Sequence, residues 1–318
     1  MNERDAILDC LFIGGSTQDV MMRMERVPQA DERVQAWDYV KCCGGVSATA
    51  ASAHQKLGGR TGIITAVGKD DAGVFIRQDL KEQNFRECRI LESPDASSSV
   101  SLIQVDALGR RSIAHYGGCI GELTFSMLHQ DLMRSSRILH LGVMEEELML
   151  EIARFCGEQE GVLLSIDGGN LSPALAEKLL PYTDIWIPDE GTVAKTLGVS
   201  PEDACRRYQE MSGKKGFFTA VTLGDKGAVG LQGDRFFTAM PYRVPVTDTT
   251  GAGDNYHGAF LYAYGRGWEL ERCMEFAGIF ASLTSVSYTH LDVYKRQQSD
   301  CVWIPGLFFH HQQLSVVT

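Results

Sequence analysis

The stretch that decides the fold reads Val246-Thr247-Asp248-Thr249-Thr250-Gly251-Ala252-Gly253-Asp254-Asn255. A strand over residues 243–247 is predicted to run into the glycines, and helix-forming residues follow over 256–264. Gly251 and Gly253 allow a sharp turn and leave no side chain in front of the backbone. The free N–H groups and the positive end of the following helix then form a site for an anion, and phosphate is the usual occupant.

Asp254 stands at the mouth of this anion site. A carboxylate beside an anion site is unfavourable unless it takes part in chemistry, and here it can take the proton of an attacking hydroxyl. The residues alone therefore predict phosphoryl transfer to an alcohol. Asp254 is then the base, and the amides of Ala252 and Gly253 hold the developing charge. The alternative is a tight strand–helix turn in which Asp254 only caps the helix.

The composition limits the classes of function. The 318 residues, 44% of them hydrophobic, suffice for one large α/β domain or two modest ones. A formal net charge of −11 argues against nucleic acid or anionic membranes as partners, but not against a local site for ATP. No signal peptide and no span across a membrane are expected. The nine cysteines lack a Cys-x-x-Cys pair, which predicts reduced thiols in a cytoplasmic protein.

Strands and helices alternate along the chain. The predicted strands are residues 6–13, 61–67, 137–141, 162–166, 184–187 and 217–222. The predicted helices are residues 46–57, 74–83, 146–159, 173–180, 193–197, 201–211 and 270–283. This rhythm implies an α/β fold with a mainly parallel sheet covered by helices on both faces. Ligands bind beyond the carboxyl ends of the strands in such sheets, and every motif singled out here follows a strand.

Two predicted hairpins interrupt this alternation. One joins residues 21–27 to 34–40, and the other joins residues 98–105 to 112–116. Both could stand off the main sheet. Periodicity alone does not distinguish a functional lid from two ordinary surface hairpins.

The string Asp-Thr-Thr-Gly-Ala-Gly-Asp over 248–254 is followed by Tyr256, Gly258 and Ala259. It closely resembles the carboxyl-terminal signature of the ribokinase-like carbohydrate kinases, the PfkB family. The resemblance covers about residues 5–285. It implies a three-layer α/β/α sandwich with a small β lid, formed by about 17–43 and 97–117.

The same resemblance implies the activity. It is transfer of the γ-phosphoryl group of ATP to a hydroxyl, expected to be a primary one, of a monosaccharide or sugar derivative. ATP and Mg²⁺ are the implied cofactors, with K⁺ as a monovalent cation. Members of the family commonly form homodimers through the lid, so the resemblance implies a homodimer as an expectation for this chain.

The sugar site is implied by residues near the amino terminus. Asp19 matches the family residue that bonds sugar hydroxyls, although by itself it reads equally well as a turn residue. Gly44-Gly45 resembles the family's hinge and sugar contact, and Thr49 takes a place where the family often has Asn. Thr17 likewise replaces an Asn. The small residues after Gly44-Gly45 look more like the branch that includes sulfofructose kinase than like ribokinase itself.

The nucleotide site is implied by two further motifs. Thr222-Leu223-Gly224-Asp225-Lys226-Gly227 resembles the family's nucleotide loop, although the isolated string would pass for a hairpin turn. Pro188-Asp189-Glu190 resembles the family's Pro-Asn-Glu, in which Glu190 would hold Mg²⁺ through water. The alternative reading makes Asp189 a helix cap. The implied nucleotide contacts are Asp189, Thr222, Gly224, Asp225, Gly227 and Gly253.

Two other positions near the anion site have open alternatives. Asp248 matches the family position that binds a monovalent cation, or else it bonds the turn at a strand end. His257 approaches the sugar or the phosphates, or else it is simply packed or solvated.

The tail after Ser285 departs from the family pattern. Residues 287–297 resemble translated adapter sequence, so we expect a kinase domain over 1–285 and a tail over 286–318 outside the family fold. The alternative is a divergent native tail. Two rival functions stay open: a nucleoside kinase of the same fold, and a catalytically degenerate sugar-binding protein. The residues at Thr49, Asp189 and Thr192 favour the degenerate protein, whereas the intact 251–254 motif opposes it.

Overall fold

The computed structural model describes residues 8–244, 249–285, 301–304, 307–310 and 313–315. The strands are β1 (Leu8–Ile13), β2 (Thr17–Met24), β3 (Ala36–Gly44), β4 (Thr61–Val67), β5 (Glu87–Glu92), β6 (Ser99–Val105), β7 (Arg111–Tyr116), β8 (Ser136–Leu141), β9 (Leu163–Ile166), β10 (Ile185–Trp186), β11 (Phe218–Thr222), β12 (Ala228–Gln232), β13 (Arg235–Ala239), β14 (Cys301–Ile304), β15 (Leu307–His310) and β16 (Gln313–Ser315).

The helices are α1 (Val46–Lys56), α2 (Asp71–Glu82), α3 (Gln130–Arg134), α4 (Glu146–Glu158), α5 (Pro173–Leu179), α6 (Glu190–Thr196), α7 (Pro201–Ser212), α8 (Ala252–Gly265) and α9 (Leu270–Thr284). Short 3₁₀ turns cover Gly118–Glu122, Phe125–Met127, Leu180–Tyr182 and Gly224–Lys226.

Nine strands form the central sheet in the order β13-β12-β11-β10-β9-β8-β1-β4-β5. The strands from β11 to β5 in this order are parallel, whereas β12 and β13 add an antiparallel hairpin at one edge. Strand β4 is buried along its whole length, as expected for a strand with helices on both faces. The predicted mainly parallel α/β sheet is confirmed.

Two apolar cores lie on opposite faces of this sheet. On one face, Phe12 and Phe218 pack against Phe260 of α8, together with side chains of α1 and α9. On the other face, Leu139 and Trp186 pack with side chains of α4, α5 and α7. These are the three layers that the resemblance implied.

The two hairpins form one four-stranded sheet in the order β3-β2-β6-β7. The parallel pairing of β2 with β6 joins them, and the sequence did not predict it. Strand β2 begins at Thr17, not at residue 21 as predicted. The polar segment 16–19 hid this start, because Thr17 and Asp19 are buried and hydrogen-bonded to Ser99 and Ser101 of β6.

Other boundaries differ by a few residues. Helix α6 begins at Glu190, three residues before the prediction, because Asp189 caps it. The predicted strand over 243–247 is absent at Arg243 and Val244, and its remainder lies outside the described residues. Most of the predicted tail also lies outside them. The described parts of the tail, β14 to β16, pair with each other.

Candidate active site

Helix α8 begins directly after the turn, four residues before its predicted start. Gly251 has φ 72°, a left-handed conformation that favours glycine and turns the chain into the helix. The backbone N–H and the side-chain amide of Asn255 both donate to the Gly251 carbonyl, each at 2.9 Å. Asp254 therefore lies within the first helical turn rather than ahead of the helix.

The backbone amides at this helix start are the candidate anion ligands. Ala252 N–H already donates to the Thr249 carbonyl at 3.1 Å, so its predicted role needs this turn bond to open. Gly251, Gly253 and Asp254 donate no backbone hydrogen bond within the described part of the chain. A side chain added at Gly253 would meet nothing within 4 Å, so open space lies in front of this turn. These three free amides and the helix dipole favour an anion here.

The carboxyl group of Asp254 interacts with two other carboxylates. Burial raises its pKa well above the usual value, and the charges of Asp167 and Asp19 raise it further. Asp19 comes from the lid and Asp167 from the loop after β9, so three distant segments meet at one site. Asp167 had no predicted role from the sequence. The position of Asp167 just past a parallel strand was the signal that could have found it.

His257 lies one turn after Asp254 on α8 and is buried. Its Nε2 is 3.6 Å from Asp167 Oδ1, and its ring lies 5.2 Å from that of His140. Its Nδ1 has no hydrogen-bond partner among the described residues. The interpretation of His257 as a packed histidine is therefore correct, and its packing places it against an active-site carboxylate.

Asp19 on β2 is 8% exposed and lies against the backbone of Gly44. A Cβ atom on Gly44 would be 2.0 Å from Asp19 Oδ2, so glycine at this position leaves the room that the carboxylate occupies. Burial raises the pKa of Asp19 to about 6, although a hydrogen bond from Ser101 opposes the shift. The structure thus brings together Asp19 and Gly44 as the sequence predicted.

Gly45 and Thr49 lie next to this pair at the start of α1. Gly45 has φ 96°, and a side chain there would come 2.5 Å from the Gly15 carbonyl. Thr49 is half-buried one turn into the helix, with its N–H on the Gly45 carbonyl at 2.9 Å. Thr17, which replaces a family Asn, bonds Ser99 across the lid at 2.9 Å.

Strand register places Asp19 in a row with three residues that the sequence analysis did not consider. Cys42, Asp19, Ser101 and His115 are cross-strand partners on one face of the lid. Ser101 Oγ lies 3.1 Å from His115 Nδ1. These side chains can contact a sugar held by Asp19. The sequence offered no signal for them, because the row depends on the unpredicted parallel pairing of β2 with β6.

The predicted nucleotide loop connects β11 to β12, so the interpretation of a hairpin connection is also right. Gly224 has φ 59° and Gly227 has φ 96°. A side chain at Gly227 would come 2.1 Å from the Ala239 carbonyl, so this position requires glycine. Gly224 and Asp225 are exposed, and the loop follows the carboxyl end of a parallel strand.

The two nucleotide motifs lie side by side. An isolated parallel bridge pairs Asp189 with Thr222. The Asp189 side chain accepts hydrogen bonds from the Thr192 N–H at 2.9 Å and from the Thr192 hydroxyl at 2.8 Å. Asp189 is therefore a helix cap, the alternative that the sequence analysis left open. Glu190 pairs with Lys226 of the nucleotide loop, at 3.1 Å and 3.2 Å from its two carboxylate oxygens.

The donors fit a magnesium ion that arrives with ATP. Over the described ranges, no group of three or more His, Cys, Asp or Glu side chains could hold a metal ion by itself. Mg²⁺ needs few protein carboxylates, because phosphate oxygens and water complete its shell. Glu190 can supply such a contact once Lys226 moves. Asp248, the predicted monovalent-cation ligand, lies outside the described residues.

Two findings concern the predictions from composition. None of the helices that the structure describes is long and apolar enough to cross a membrane. The eight cysteines within 8–285 are all free, in agreement with the predicted reduced thiols.

Known proteins resemble this chain over most of its length. A family model for the pfkB family carbohydrate kinases matches residues 9–289. The chain is 27% identical over 289 residues to a deoxyribokinase of Salmonella typhi. This match covers 87% of this chain and 92% of that protein. It is 25% identical to an Arabidopsis thaliana ribokinase, with 86% and 75% covered. It is 24% identical to a nucleoside kinase of Methanothermobacter thermautotrophicus, with 86% and 88% covered.

Solved structures show the same fold. The ribokinase of Thermotoga maritima superposes with a TM-score of 0.77 at 23% identity, over 90% of this chain and 95% of that one. The Arabidopsis thaliana ribokinase complexed with ribose and ATP gives a TM-score of 0.74 at 22% identity, with the same two coverages. The predicted ribokinase-like fold is therefore confirmed. The sulfofructose kinase branch is not confirmed by these comparisons.

The family match runs from the first central strand to a few residues beyond α9, and it includes the turn before α8 with Asp254. This chain is therefore an ATP-dependent kinase that belongs to the pfkB family of carbohydrate kinases.

Proposed function

We propose that this kinase transfers the γ-phosphoryl group of ATP to a primary hydroxyl of a monosaccharide or sugar derivative. The meeting of Asp19 and Asp254 carries this proposal. One carboxylate comes from the lid and the other from the start of α8, and they are close enough that the first raises the pKa of the second. A hydroxylated substrate between them would be oriented by Asp19 and deprotonated by Asp254.

In the proposed reaction, the hydroxyl oxygen bonds to the γ-phosphorus while the bond to the leaving ADP oxygen breaks. The hydroxyl proton passes to Asp254, whose raised pKa makes its carboxylate a stronger base. The amides of Gly251, Gly253 and Asp254 hold the charge on the transferred group. Gly44, Gly45 and Thr49 complete the sugar site. Ala252 contributes its amide only if its bond to Thr249 opens.

The nucleotide is placed along the β11–β12 loop, with Thr222, Gly224, Asp225 and Gly227 as its contacts. When bound, Mg²⁺ neutralises the phosphate charge, and Glu190 would hold it through water. Asp189 acts by capping α6, which positions Glu190. Asp248 is the proposed ligand for K⁺.

The lid favours a sugar over a nucleoside as substrate. Its aromatic side chains Tyr39 and Tyr116 lie on the face opposite the Asp19 row, by strand register. Trp37 lies at a register shift near the start of β3, and the regularly paired residues beside Asp19 include no Phe, Tyr or Trp that could stack on a base. A nucleoside kinase remains the alternative.

The opposite face supports the expected homodimer. Tyr39 is 53% exposed, and Leu102 lies on the same face and is also exposed. Exposed apolar side chains on one sheet face are typical of an interaction surface. A second copy of the lid is the proposed partner. We also retain two predictions from the sequence: a cytoplasmic location, and a kinase domain that ends near Ser285.

The degenerate sugar-binding alternative loses part of its support. It relied partly on Asp189 and Thr192 as departures from the family pattern. These two residues bond each other and form a helix cap, so their departure has a structural role of its own.

The test measures ADP release with Mg·ATP and K⁺ against ketoses, pentoses, sulfosugars and nucleosides. The chain is compared with a version in which a family-type carboxyl terminus replaces the residues after Ser285. Turnover with a sugar in either version supports the proposal, and turnover in the second alone would identify a truncated kinase. Turnover with nucleosides alone would favour the alternative. Sugar binding without turnover in both would overturn the kinase proposal for this chain.

A further inference from the structure

We propose that Arg111 of the lid is a catalytic residue that contacts the transferring phosphoryl group. Arg111 Nη1 donates to Thr250 Oγ1 at 2.8 Å, although the residues are 139 positions apart. Thr250 immediately precedes Gly251, the first residue of the anion turn. This single bond joins the edge strand of the lid to the place where the phosphoryl group is proposed to sit. The inference rests on the proposed function.

The direction of the side chain follows from the register of the lid. Across the lid strands, Arg111 lies in one row with Val105 and Arg23. His115 lies in another row with Ser101 and Asp19. Alternate residues of a strand point to the same face, so Arg111 and His115 leave β7 on the side of Asp19. Arg111 therefore lies on the substrate face of the lid.

Arg111 differs from its neighbours in its charge partners. Three nearby arginines are ion-paired: Arg23 with Asp38, Arg26 with Glu32 and Arg110 with Asp106. Arg111 has no carboxylate partner within the described residues, and its hydrogen bond goes to the neutral hydroxyl of Thr250. A guanidinium group has five N–H donors in a fixed fork, so donors remain for an anion next to Thr250.

A cation at this position would offset the negative charges of the site. Asp19, Asp167 and Asp254 place three carboxyl groups around the acceptor, and all of them repel a polyphosphate. Lys226 of the nucleotide loop is already paired with Glu190. Arg111 supplies positive charge from the lid, beside the amide turn itself. This contribution requires β7 to lie against the turn before α8, as the bond from Arg111 to Thr250 shows that it does here.

The experiment compares Arg111→Ala and Arg111→Lys with the parent chain. A cation that contacts the phosphoryl group in the transition state is worth about 10²- to 10³-fold in kcat, on the scale of other charge-stabilising donors. We expect a loss of that size for Arg111→Ala, a smaller loss for Arg111→Lys, and a sugar KM within about threefold of the parent.

A binding readout tests the contact without turnover. ADP with aluminium fluoride and Mg²⁺ mimics the transferring phosphoryl group, whereas ADP alone has no group at that position. Arg111→Ala should weaken the fluoride complex by about 100-fold and ADP alone by less than about threefold. Arg110→Ala removes an arginine one position away that is paired with Asp106, and it should change neither affinity by more than about threefold.

Each outcome decides the inference. Equal weakening of both nucleotide complexes in Arg111→Ala would overturn it, as would a fluoride complex as tight as that of the parent. If the parent turns over no sugar, the proposed function fails. The selective loss of the fluoride complex would then still support Arg111 as a phosphoryl contact, and its absence would refute that contact.

Discussion

Lys226 Nζ lies 3.1 Å from Glu190 Oε1, so a salt bridge joins the predicted nucleotide loop to the predicted magnesium residue. Both side chains are substantially exposed, and an exposed ion pair contributes only about 0–1 kcal/mol. The pair can therefore open when a nucleotide arrives. Lys226 would then turn to the phosphates, and Glu190 would become free to face the hydrated ion.

Substitution of Glu190 by Gln tests this exchange. The amide keeps the shape of the side chain but loses the charge that attracts hydrated Mg²⁺. We expect the Mg²⁺ concentration for half-maximal activity to rise about tenfold, which corresponds to about 1.4 kcal/mol. Kinetics over a range of free Mg²⁺ at saturating sugar measure it. An unchanged magnesium dependence would remove Glu190 from the site.

Substitution of Gly44 by Ala tests the position of Asp19. The added Cβ would lie 2.0 Å from Asp19 Oδ2, and the carboxylate must rotate because it is the movable partner. We expect the sugar KM to rise by about tenfold or more, while nucleotide affinity and the unfolding midpoint change little. Gly278→Ala on α9 is the matched control, since a side chain there meets nothing within 4 Å. A normal sugar KM in Gly44→Ala would contradict the assignment of Asp19.

The raised pKa of Asp19 predicts a dependence of stability on pH. Its folded pKa of about 6 exceeds the unfolded value of 3.8, so the ionised form destabilises the folded protein above pH 6. This cost shrinks as the pH falls from 6 and disappears below about 4. Asp19→Asn should therefore raise the free energy of unfolding at pH 7 by up to about 3 kcal/mol, and by almost nothing at pH 4.

Denaturant unfolding of both proteins between pH 4 and 8 measures this difference. Burial lowers the pKa of His54 to about 4, so His54 changes the stability with pH in the opposite direction to Asp19. Comparison of the two proteins at the same pH cancels this contribution. A pH-independent difference would show that Asp19 is not held in a costly ionised state. The same variant should bind the sugar more weakly, because the buried carboxylate that lowers stability is also the group proposed to hold the sugar.

Gly258 controls the contact between α1 and α8. A side chain there would lie 2.2 Å from the Ala50 carbonyl and 2.7 Å from Ala53 Cβ, so the helices would have to separate. We expect Gly258→Ala to lower the free energy of unfolding by about 1–3 kcal/mol, the usual cost of overpacking. Gly265→Ala at the end of the same helix has free space and should be neutral or stabilising. Equal stability of the two variants, measured by urea unfolding, would contradict this packing.

The sequence predicted the parts of this molecule that depend on local patterns. The alternation of strands and helices indicated the parallel sheet, and the glycines before α8 indicated the anion turn. Asp19 comes shortly after β1, and a parallel sheet gathers such residues at the carboxyl ends of its strands. Local chemistry was enough for these.

The rest depends on long-range pairing, which a single sequence does not reveal. The lid sheet exists because β2 pairs with β6 in parallel, and that register alone sets Ser101 and His115 beside Asp19. Asp167 gains its role from the neighbours that the strand order gives it. The bond between Arg111 and Thr250 spans 139 positions, and no periodicity encodes it.

The central claim is that Asp254 is the base for phosphoryl transfer, and Asp254→Asn tests it most directly. The amide keeps the helix start and the free N–H groups but does not accept the proton. With the sugar that the parent phosphorylates, we predict that kcat falls by at least about 10²- to 10⁴-fold. The dissociation constants for sugar and ADP should stay within about threefold of the parent, because binding does not require the base. A kcat close to that of the parent would contradict the account.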